Sequence, residues 1–266
     1  MIVYPNAKIN IGLNITNKRA DGFHDLETIF CPVELSDTLE INLSQDGADH
    51  FRTIGIGIDC NGKKNLVEKA LDLVRERFQI PALDITLTNH IPAGAGLGGG
   101  SADAAFFVKA VNGEFGLGMQ SAEMEDMSAR LGSDCAFFIG NKPKYATGRG
   151  EVMTPVPDFP AGYRIAIIKP DFAISTALAY SKVRPQAPKS SLREDYTKPV
   201  SEWKSLIKND FEEFLFPVFP ALAGYKQALY DSGALYAAMT GSGSALFGIF
   251  SHEPALAPEI EAIRVI

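Results

Sequence analysis

The chain has 266 residues, long enough for one large domain or two modest ones, and its 46% hydrophobic and 21% charged content is that of an ordinary globular protein. No apolar run nears the roughly 20 residues of a membrane span, and Met1-Ile2-Val3-Tyr4-Pro5 lacks the features of a secretory signal, so a cytoplasmic protein with no membrane partner is expected. The net charge of −7 argues against a nucleic-acid polymer as partner, whereas a small phosphorylated ligand needs only local donors.

Residues 7–15 alternate apolar with polar, which predicts a half-buried strand carrying Lys8, Asn10, Gly12 and Asn14 on one face. After a turn at 18–22, strands are expected over 26–35 and 38–43, in an antiparallel sheet, followed by a polar, glycine-rich loop or weak hairpin over 45–64. Leu66, Val67, Ala70, Leu71 and Val74 share a face opposite Glu68, Lys69, Asp72, Arg75 and Glu76, so 65–78 reads as an amphipathic helix. A strand over 83–89 leads through His90-Ile91-Pro92 into a glycine-rich loop and a helix ending near Gly113. A helix over 121–131 opens on a serine cap with glutamate following, and runs into Gly132-Ser133-Asp134-Cys135-Ala136-Phe137-Phe138.

Residues 145–154 read as extended, and prolines 155, 157 and 160 mark the best boundary, dividing the chain into 1–157 and 158–266. The second part begins with a strand over 163–168 and a helix over 175–183, then a mobile loop over 184–199 containing Pro185, Pro188 and Pro199. Helices near 201–208 and 221–232 precede a strand over 235–240, the turn Gly241-Ser242-Gly243-Ser244, a strand over 245–250 and a short closing helix. Cys31, Cys60 and Cys135 are too widely spaced for a disulfide framework and read as buried thiols; His50, His90 and His252 show no metal-ligand spacing, and no metal ligand is assigned.

The strongest chemical signal is Pro92-Ala93-Gly94-Ala95-Gly96-Leu97-Gly98-Gly99-Gly100-Ser101, with five glycines in seven positions directly before a helix-forming run. Glycines let backbone approach a ligand closely, and the following helix offers unpaired N–H groups and a positive dipole end to anionic oxygens. The spacing Gly94-x-Gly96-x-x-Gly99 formally matches a dinucleotide fingerprint, but no acidic residue follows on a next strand, and the lysine of a P-loop is missing. The ligand expected is a nucleoside triphosphate.

Three segments in order, Ala7-Lys8-Ile9-Asn10-Ile11-Gly12-Leu13, then Pro92 to Ala105, then Met239-Thr240-Gly241-Ser242-Gly243-Ser244-Ala245, with Gly132-Ser133-Asp134 between the last two, resemble the motifs of the galactokinase, homoserine kinase, mevalonate kinase and phosphomevalonate kinase (GHMP) superfamily. The resemblance spans nearly the whole chain. It implies an α+β, two-domain fold with the active site in the interdomain cleft, and an ATP-dependent small-molecule kinase working with Mg²⁺. Arg19-Ala20-Asp21-Gly22-Phe23-His24-Asp25-Leu26-Glu27-Thr28 is similar to the cytidine-recognition segment of those superfamily kinases that act on a cytidyl diphosphate substrate in non-mevalonate isoprenoid synthesis. This implies transfer of the ATP γ-phosphate to the 2-hydroxyl of a methylerythritol unit. The alternatives are a homoserine- or mevalonate-type kinase, which has no nucleobase to read, and a non-catalytic nucleotide-binding regulator on the same fold.

By that resemblance Asp134 faces the acceptor hydroxyl, as base or as orienting group, and Lys8 stands beside it, keeping it ionised and holding the hydroxyl or the phosphoryl oxygen. Phe23 and Tyr180 would sandwich the pyrimidine, His24 would bond its edge, and Asn10 would meet the acceptor end. Tyr180 reads equally as a core aromatic. The loop from Pro92 to Ser101 would wrap the ATP phosphates, and Asn65 would touch the adenine side or simply cap its helix. Gly241 and Ser242 would close the substrate side with backbone amides, unless they form only a tight hairpin. Three features depart from the pattern: Ala102 follows Ser101 where a second serine is common, Cys135-Ala136 replaces Val-Pro, and an element after Phe250 is expected to be shortened.

Overall fold

The computed structural model describes residues 1–56, 64–256 and 262–265, the last four by their backbone. Cys60 lies outside these residues, while Cys31 and Cys135 are buried thiols, as expected of them. The chain forms two compact units, each built from several stretches: Met1–Ala7, Glu34–Ala93 and Gly98–Asn141 in the first, and Lys8–Val33, Gly94–Leu97 and Lys142–Ile266 in the second. The proline-marked boundary at 157/158 falls within the second.

In the first unit a four-stranded sheet runs in the order Ile2–Val3, Thr38–Leu43, Leu83–Asn89, His50–Gly55. Thr38–Leu43 and Leu83–Asn89 are antiparallel, with Leu39 opposite Leu87 and Ile41 opposite Ile85. Period-two alternation therefore puts these side chains on one face. They pack with Val67, Ala70, Leu71 and Val74 of helix Leu66–Arg75 and with Ala104, Phe107, Val108 and Val111 of helix Gly99–Glu114. Each such leucine, isoleucine, valine or phenylalanine side chain, fully buried, contributes about 1.5–3 kcal/mol.

The segment 45–64, expected to be a loop or weak hairpin, contains the strand His50–Gly55, parallel to Leu83–Asn89. Its residues are exposed except Phe51, so no hydrophobic alternation announces it. It is held by the backbone ladder and by Arg52 Nε donating to Thr86 Oγ1 at 2.7 Å. Helix Ser121–Ala129 is capped by Gln120, whose backbone N–H donates to Glu123 Oε2 at 3.0 Å, rather than by Ser121. Asp134 opens one further short helix, Cys135–Gly140.

The second unit holds most of a sheet ordered Asn6–Lys18, His24–Ser36, Lys144–Thr147, Val152–Pro155, and the whole of another ordered Tyr236–Met239, Leu246–Phe250, Arg164–Ile168, Ala262–Val265. Of the closing helix expected from sequence, residues 257–261 lie outside the described residues, and Ala262–Val265 is instead a strand, which pairs antiparallel with Arg164–Ile168. The segment 184–199, expected to be a loop, contains helix Leu192–Asp195, with Leu192 buried and Ser191 Oγ accepting from the Glu194 N–H at 3.3 Å. Helices Thr176–Lys182, Phe211–Val218 and Pro220–Asp231 close a core around Leu13, Ile15, Ile168, Phe211, Leu215, Leu222, Leu229, Met239 and Phe250.

Candidate active site

The alternating strand of residues 7–15 is buried on both faces rather than one, with Lys8 and Asn10 only 3% exposed. A buried ammonium is tolerable only where acceptors meet it. Lys8 Nζ donates to Asn10 Oδ1 at 2.6 Å and to the Gly96 carbonyl at 3.0 Å, and stands 5.1 Å from the centre of the Phe30 ring. The Lys8 backbone N–H donates to Leu97 O at 2.9 Å. Strand Asn6–Lys18 and the glycine loop are therefore fixed to each other at the residue expected to handle phosphoryl charge.

Asn10 is committed at both ends of its amide side chain and at its backbone N–H. Its Oδ1 accepts from Lys8, its Nδ2 donates to Thr28 Oγ1 at 3.0 Å, and its backbone N–H donates to Thr240 Oγ1 at 3.0 Å. Thr28 Oγ1 in turn donates a hydrogen bond to the Gly12 carbonyl. Thr240 Oγ1 donates to Gly96 O at 3.1 Å. Sequence reading missed Thr28 and Thr240. Thr240 directly precedes Gly241 in the third motif, and a hydroxyl beside a glycine turn was the available signal.

The turn carrying Gly241 and Ser242 joins the antiparallel strands Tyr236–Met239 and Leu246–Phe250. Gly243 N–H donates to Thr240 O at 3.0 Å, Asn209 Nδ2 donates to Met239 O and Gly241 O at 2.8 and 2.9 Å, and Ala245 N–H reaches Ala95 O at 3.2 Å. Gly241 lies against the glycine loop, since a Cβ there would come within 3.4 Å of Gly96 Cα and of Asn10 Oδ1. Ser242 Oγ is 3.2 Å from Thr176 Oγ1, at the start of the helix that bears Tyr180.

The loop leaves strand Leu83–Asn89 at Pro92 and Ala93, carries Gly94, Ala95, Gly96 and Leu97 into the second unit, and re-enters the first at Gly98, Gly99, Gly100 and Ser101. Gly94, Gly96 and Gly98 have φ of 65°, 78° and 77°. Gly98 is the N-cap of helix Gly99–Glu114, and no side chain caps that end. The first-turn amides of a sixteen-residue helix thus have no capping side chain, which suits anionic oxygens. The Ser101 hydroxyl hydrogen-bonds the Cys135 thiol, and burial pushes that thiol up to about 11.

Asp134 occupies the N-cap position of Cys135–Gly140 yet makes no cap bond to its helix, while Ser133 Oγ donates to its Oδ1 at 3.3 Å. Asp134 belongs to the first unit and Lys8 to the second.

Phe23 and His24 follow a tight turn held by Arg19 N–H to Phe23 O at 2.8 Å, Phe23 N–H to Asp21 Oδ1 at 3.1 Å, and an Arg19–Asp21 ion pair. Phe23 is 54% exposed, with the Arg149 guanidinium 4.9 Å above its ring. His24 packs on Tyr180 with ring centres 5.1 Å apart, and Tyr180 meets Phe211 edge-on at 4.9 Å. Tyr180 is thus both a wall of the core and a neighbour of His24. Burial, then the Lys18 charge, lowers the affinity of His24 for a proton, favouring an imidazole with one donor and one acceptor nitrogen.

Asn65 caps helix Leu66–Arg75: its Oδ1 accepts from Val67 N–H at 2.9 Å and its own N–H donates to Glu68 Oε2 at 2.8 Å. Asn65→Asp keeps the capping oxygen and removes the amide donor. Thermal melts should show Asn65→Ala losing about 1 kcal/mol and Asn65→Asp losing little; a selective rise in KM for ATP in Asn65→Asp would add a nucleotide contact to the cap.

No group of three or more His, Cys, Asp or Glu among the described residues could hold a metal ion. No helix among the described residues is long and apolar enough to cross a membrane.

Residues 65–141 match the model of the GHMP kinases N terminal domain, and residues 194–264 match that of the GHMP kinases C terminal domain. A 4-diphosphocytidyl-2-C-methyl-D-erythritol kinase of Bacteroides fragilis is 50% identical over 255 residues, covering 95% of this chain and 93% of that protein. One from Porphyromonas gingivalis is 48% identical over 258 residues, covering 96% and 94%. A crystal structure of 4-(cytidine 5′-diphospho)-2C-methyl-D-erythritol kinase superposes with a TM-score of 0.77 at 29% identity, covering 93% of this chain and 89% of that one.

Proposed function

The chain belongs to the GHMP kinase family, within it to the 4-diphosphocytidyl-2-C-methyl-D-erythritol kinases, and on that premise we propose that it transfers the γ-phosphoryl group of ATP to the 2-hydroxyl of that cytidyl diphosphate substrate. The observation that carries the reading is the likeness, along nearly the full length of both chains, to relatives named for this substrate. We place the reaction in the cytoplasm, where ATP is supplied.

Phosphoryl transfer asks a protein for positioning and charge neutralisation more than for covalent chemistry. The amides of Gly94 to Ser101 would take the ATP phosphates, and Mg²⁺ arriving on the nucleotide would neutralise part of their charge. We assign Asp134 to the acceptor hydroxyl, whose proton it orients or accepts as the bond to phosphorus forms. We assign Lys8 to the charge on the moving phosphoryl oxygens. Asn10 also serves as a brace: its amide oxygen accepts from Lys8 and its Nδ2 donates to Thr28 Oγ1, so we assign it to aiming Lys8 as well as to the acceptor end of the substrate. Asn10, Thr28 and Thr240 limit the reach of the ammonium, and such preorganisation is worth more than an extra flexible cation.

On the substrate side, the exposed Phe23 ring and Tyr180 offer π-faces for cytosine, and His24 offers a donor and an acceptor for its edge. A phosphotransfer assay with ATP-Mg²⁺ against the cytidyl substrate, homoserine and mevalonate decides among the family's chemistries. Turnover of the first alone is expected, and turnover of none would favour a nucleotide-binding regulator. Within the cytidyl reading, Phe23→Ala should cost about 1–3 kcal/mol in substrate binding, the scale of base–aromatic stacking, with KM for ATP unchanged. The wild type should strongly prefer the cytidine over the uridine substrate, and His24→Ala should narrow that gap, because groups built to bond one base edge are left unpaired by the other. An unchanged kcat/KM ratio in His24→Ala would remove His24 from recognition.

A further inference from the structure

Beneath the glycine loop, in the first unit, lie two carboxyl groups that the transfer chemistry does not use. Asp103, on the first turns of helix Gly99–Glu114, is fully buried, and Asp37, between strands His24–Ser36 and Thr38–Leu43, is 1% exposed. Asp37 Oδ1 accepts the backbone N–H groups of His90 and of Ile91, the latter at 2.7 Å, and the Asp37 N–H is itself fixed to Pro5 O at 2.9 Å. These two amides immediately precede Pro92, where the loop begins. No amide, hydroxyl or cation among the described residues donates to Asp37 Oδ2 or to either oxygen of Asp103, and the two carboxyl groups face each other. The start of the helix is brought in closely: a Cβ on Gly99 would meet Ile91 Cγ2 at 3.0 Å and Asp37 Oδ2 at 3.6 Å.

Three buried acceptor oxygens without a donor, in two facing carboxyl groups, form a costly arrangement unless a proton lies between them. We propose that Asp103 is a protonated positioning residue that donates to Asp37, so that the pair ties the entry of the phosphate loop at His90 and Ile91 to its exit at the start of helix Gly99–Glu114. Burial pushes the Asp37 carboxyl up as well, but the Ile91 and His90 amides oppose it by favouring the charge, and Asp37 is therefore the ionised member. Asp103 has no such donors; burial, and after it the Asp37 charge, pushes its carboxyl up to about 9. The exposed His90 is the titratable group beside Asp37, and Asp37 is the charge that faces Asp103. A loop held at both feet keeps its amides aimed before nucleotide arrives. The part concerning ATP rests on the functional reading above, whereas the shared proton does not.

Asp103→Asn keeps a donor of the same shape without a titrating group, and Asp103→Ala removes the link. At neutral pH the wild type should show an infrared carbonyl band of a protonated carboxylic acid, which Asp103→Asn lacks. The linkage has a definite sign: a carboxyl whose folded pKa is raised stabilises fully below the unfolded value and loses that contribution as pH climbs. The melting temperature of the wild type should therefore fall relative to Asp103→Asn from about pH 4, the ordinary aspartate range, up to about 9. In kinetics, Asp103→Asn should hold KM for ATP near the wild-type value. Asp103→Ala should raise it roughly tenfold, the scale of one buried hydrogen-bond partner removed, with KM for the cytidyl substrate little changed. Absence of the acid band, a pH-independent gap in melting temperature, or Asp103→Asn losing ATP as severely as Asp103→Ala would each overturn the assignment. If the protein bound no ATP at all, the infrared and melting measurements would still decide whether the proton is shared.

Discussion

Asp134→Asn should lower kcat by at least ~10², the scale of lost acid–base assistance, while KM for ATP moves little. Asparagine has nearly the same shape and keeps one carbonyl oxygen, so Ser133 Oγ can still donate and helix Cys135–Gly140 loses no cap, since Asp134 makes no cap bond to it. What vanishes is the capacity to take a proton from the acceptor hydroxyl as it attacks. A thermal melt of the variant beside the assay separates chemistry from folding. Lys8→Ala should depress kcat comparably but with a second signature. Its ammonium also satisfies the buried Asn10 Oδ1 and Gly96 O; the single Thr240 hydroxyl proton can serve only one of them in its place, and leaving the other unpartnered costs about 1–3 kcal/mol. A normal kcat in Asp134→Asn would end its assignment to the hydroxyl.

That contrast between the two residues also shows what could be read before the fold was known. The glycine loop stood out by residue type, with five glycines before a helix, whereas Lys8 and the Gly241 turn, ordinary when taken alone, were legible only through the ordered motifs that contain them. The alternation itself misled about burial. Period-two polarity normally marks a solvated face, but here Lys8 and Asn10 turn inward onto Gly96, Thr28 and Thr240, partners up to 230 residues away in sequence. No local pattern encodes such pairings. The strand His50–Gly55 was illegible for the opposite reason: it buries almost nothing, and backbone pairing leaves no mark on residue type. Helix Phe211–Val218 carries Pro217 near its end and is only eight residues long, so its apolar residues fell below a readable period. The buried pair Asp37 and Asp103 gave no signal either, because an aspartate after a strand and another in the first turns of a helix are both ordinary surface placements.

Gly96→Ala should be far more damaging than Gly94→Ala, although both glycines have left-handed φ, 78° and 65°. An L-residue in that region costs roughly 1–2 kcal/mol at either position. Gly94 would incur only this, because a Cβ there meets nothing within 4 Å. At Gly96 the added carbon would lie 2.2 Å from the Thr240 carbonyl oxygen and 3.0 Å from its carbon, both backbone atoms. Thr240 cannot retreat easily: its N–H is bonded to Ala245 O, its carbonyl takes the Gly243 N–H, and its hydroxyl takes the Asn10 N–H. The loop must move instead, drawing Gly96 O away from Lys8 Nζ and Thr240 Oγ1, and so releasing the ammonium that the strand and loop hold together. Gly96→Ala should therefore lose more than about tenfold in kcat, as expected when a pre-aimed charge is let loose, and should melt several degrees below the wild type. Gly94→Ala should keep most of its kcat and lose only the conformational increment in stability. Equal kinetic losses in the two variants would mean that backbone conformation alone, and not the close approach of the loop to Thr240, is what requires glycine here.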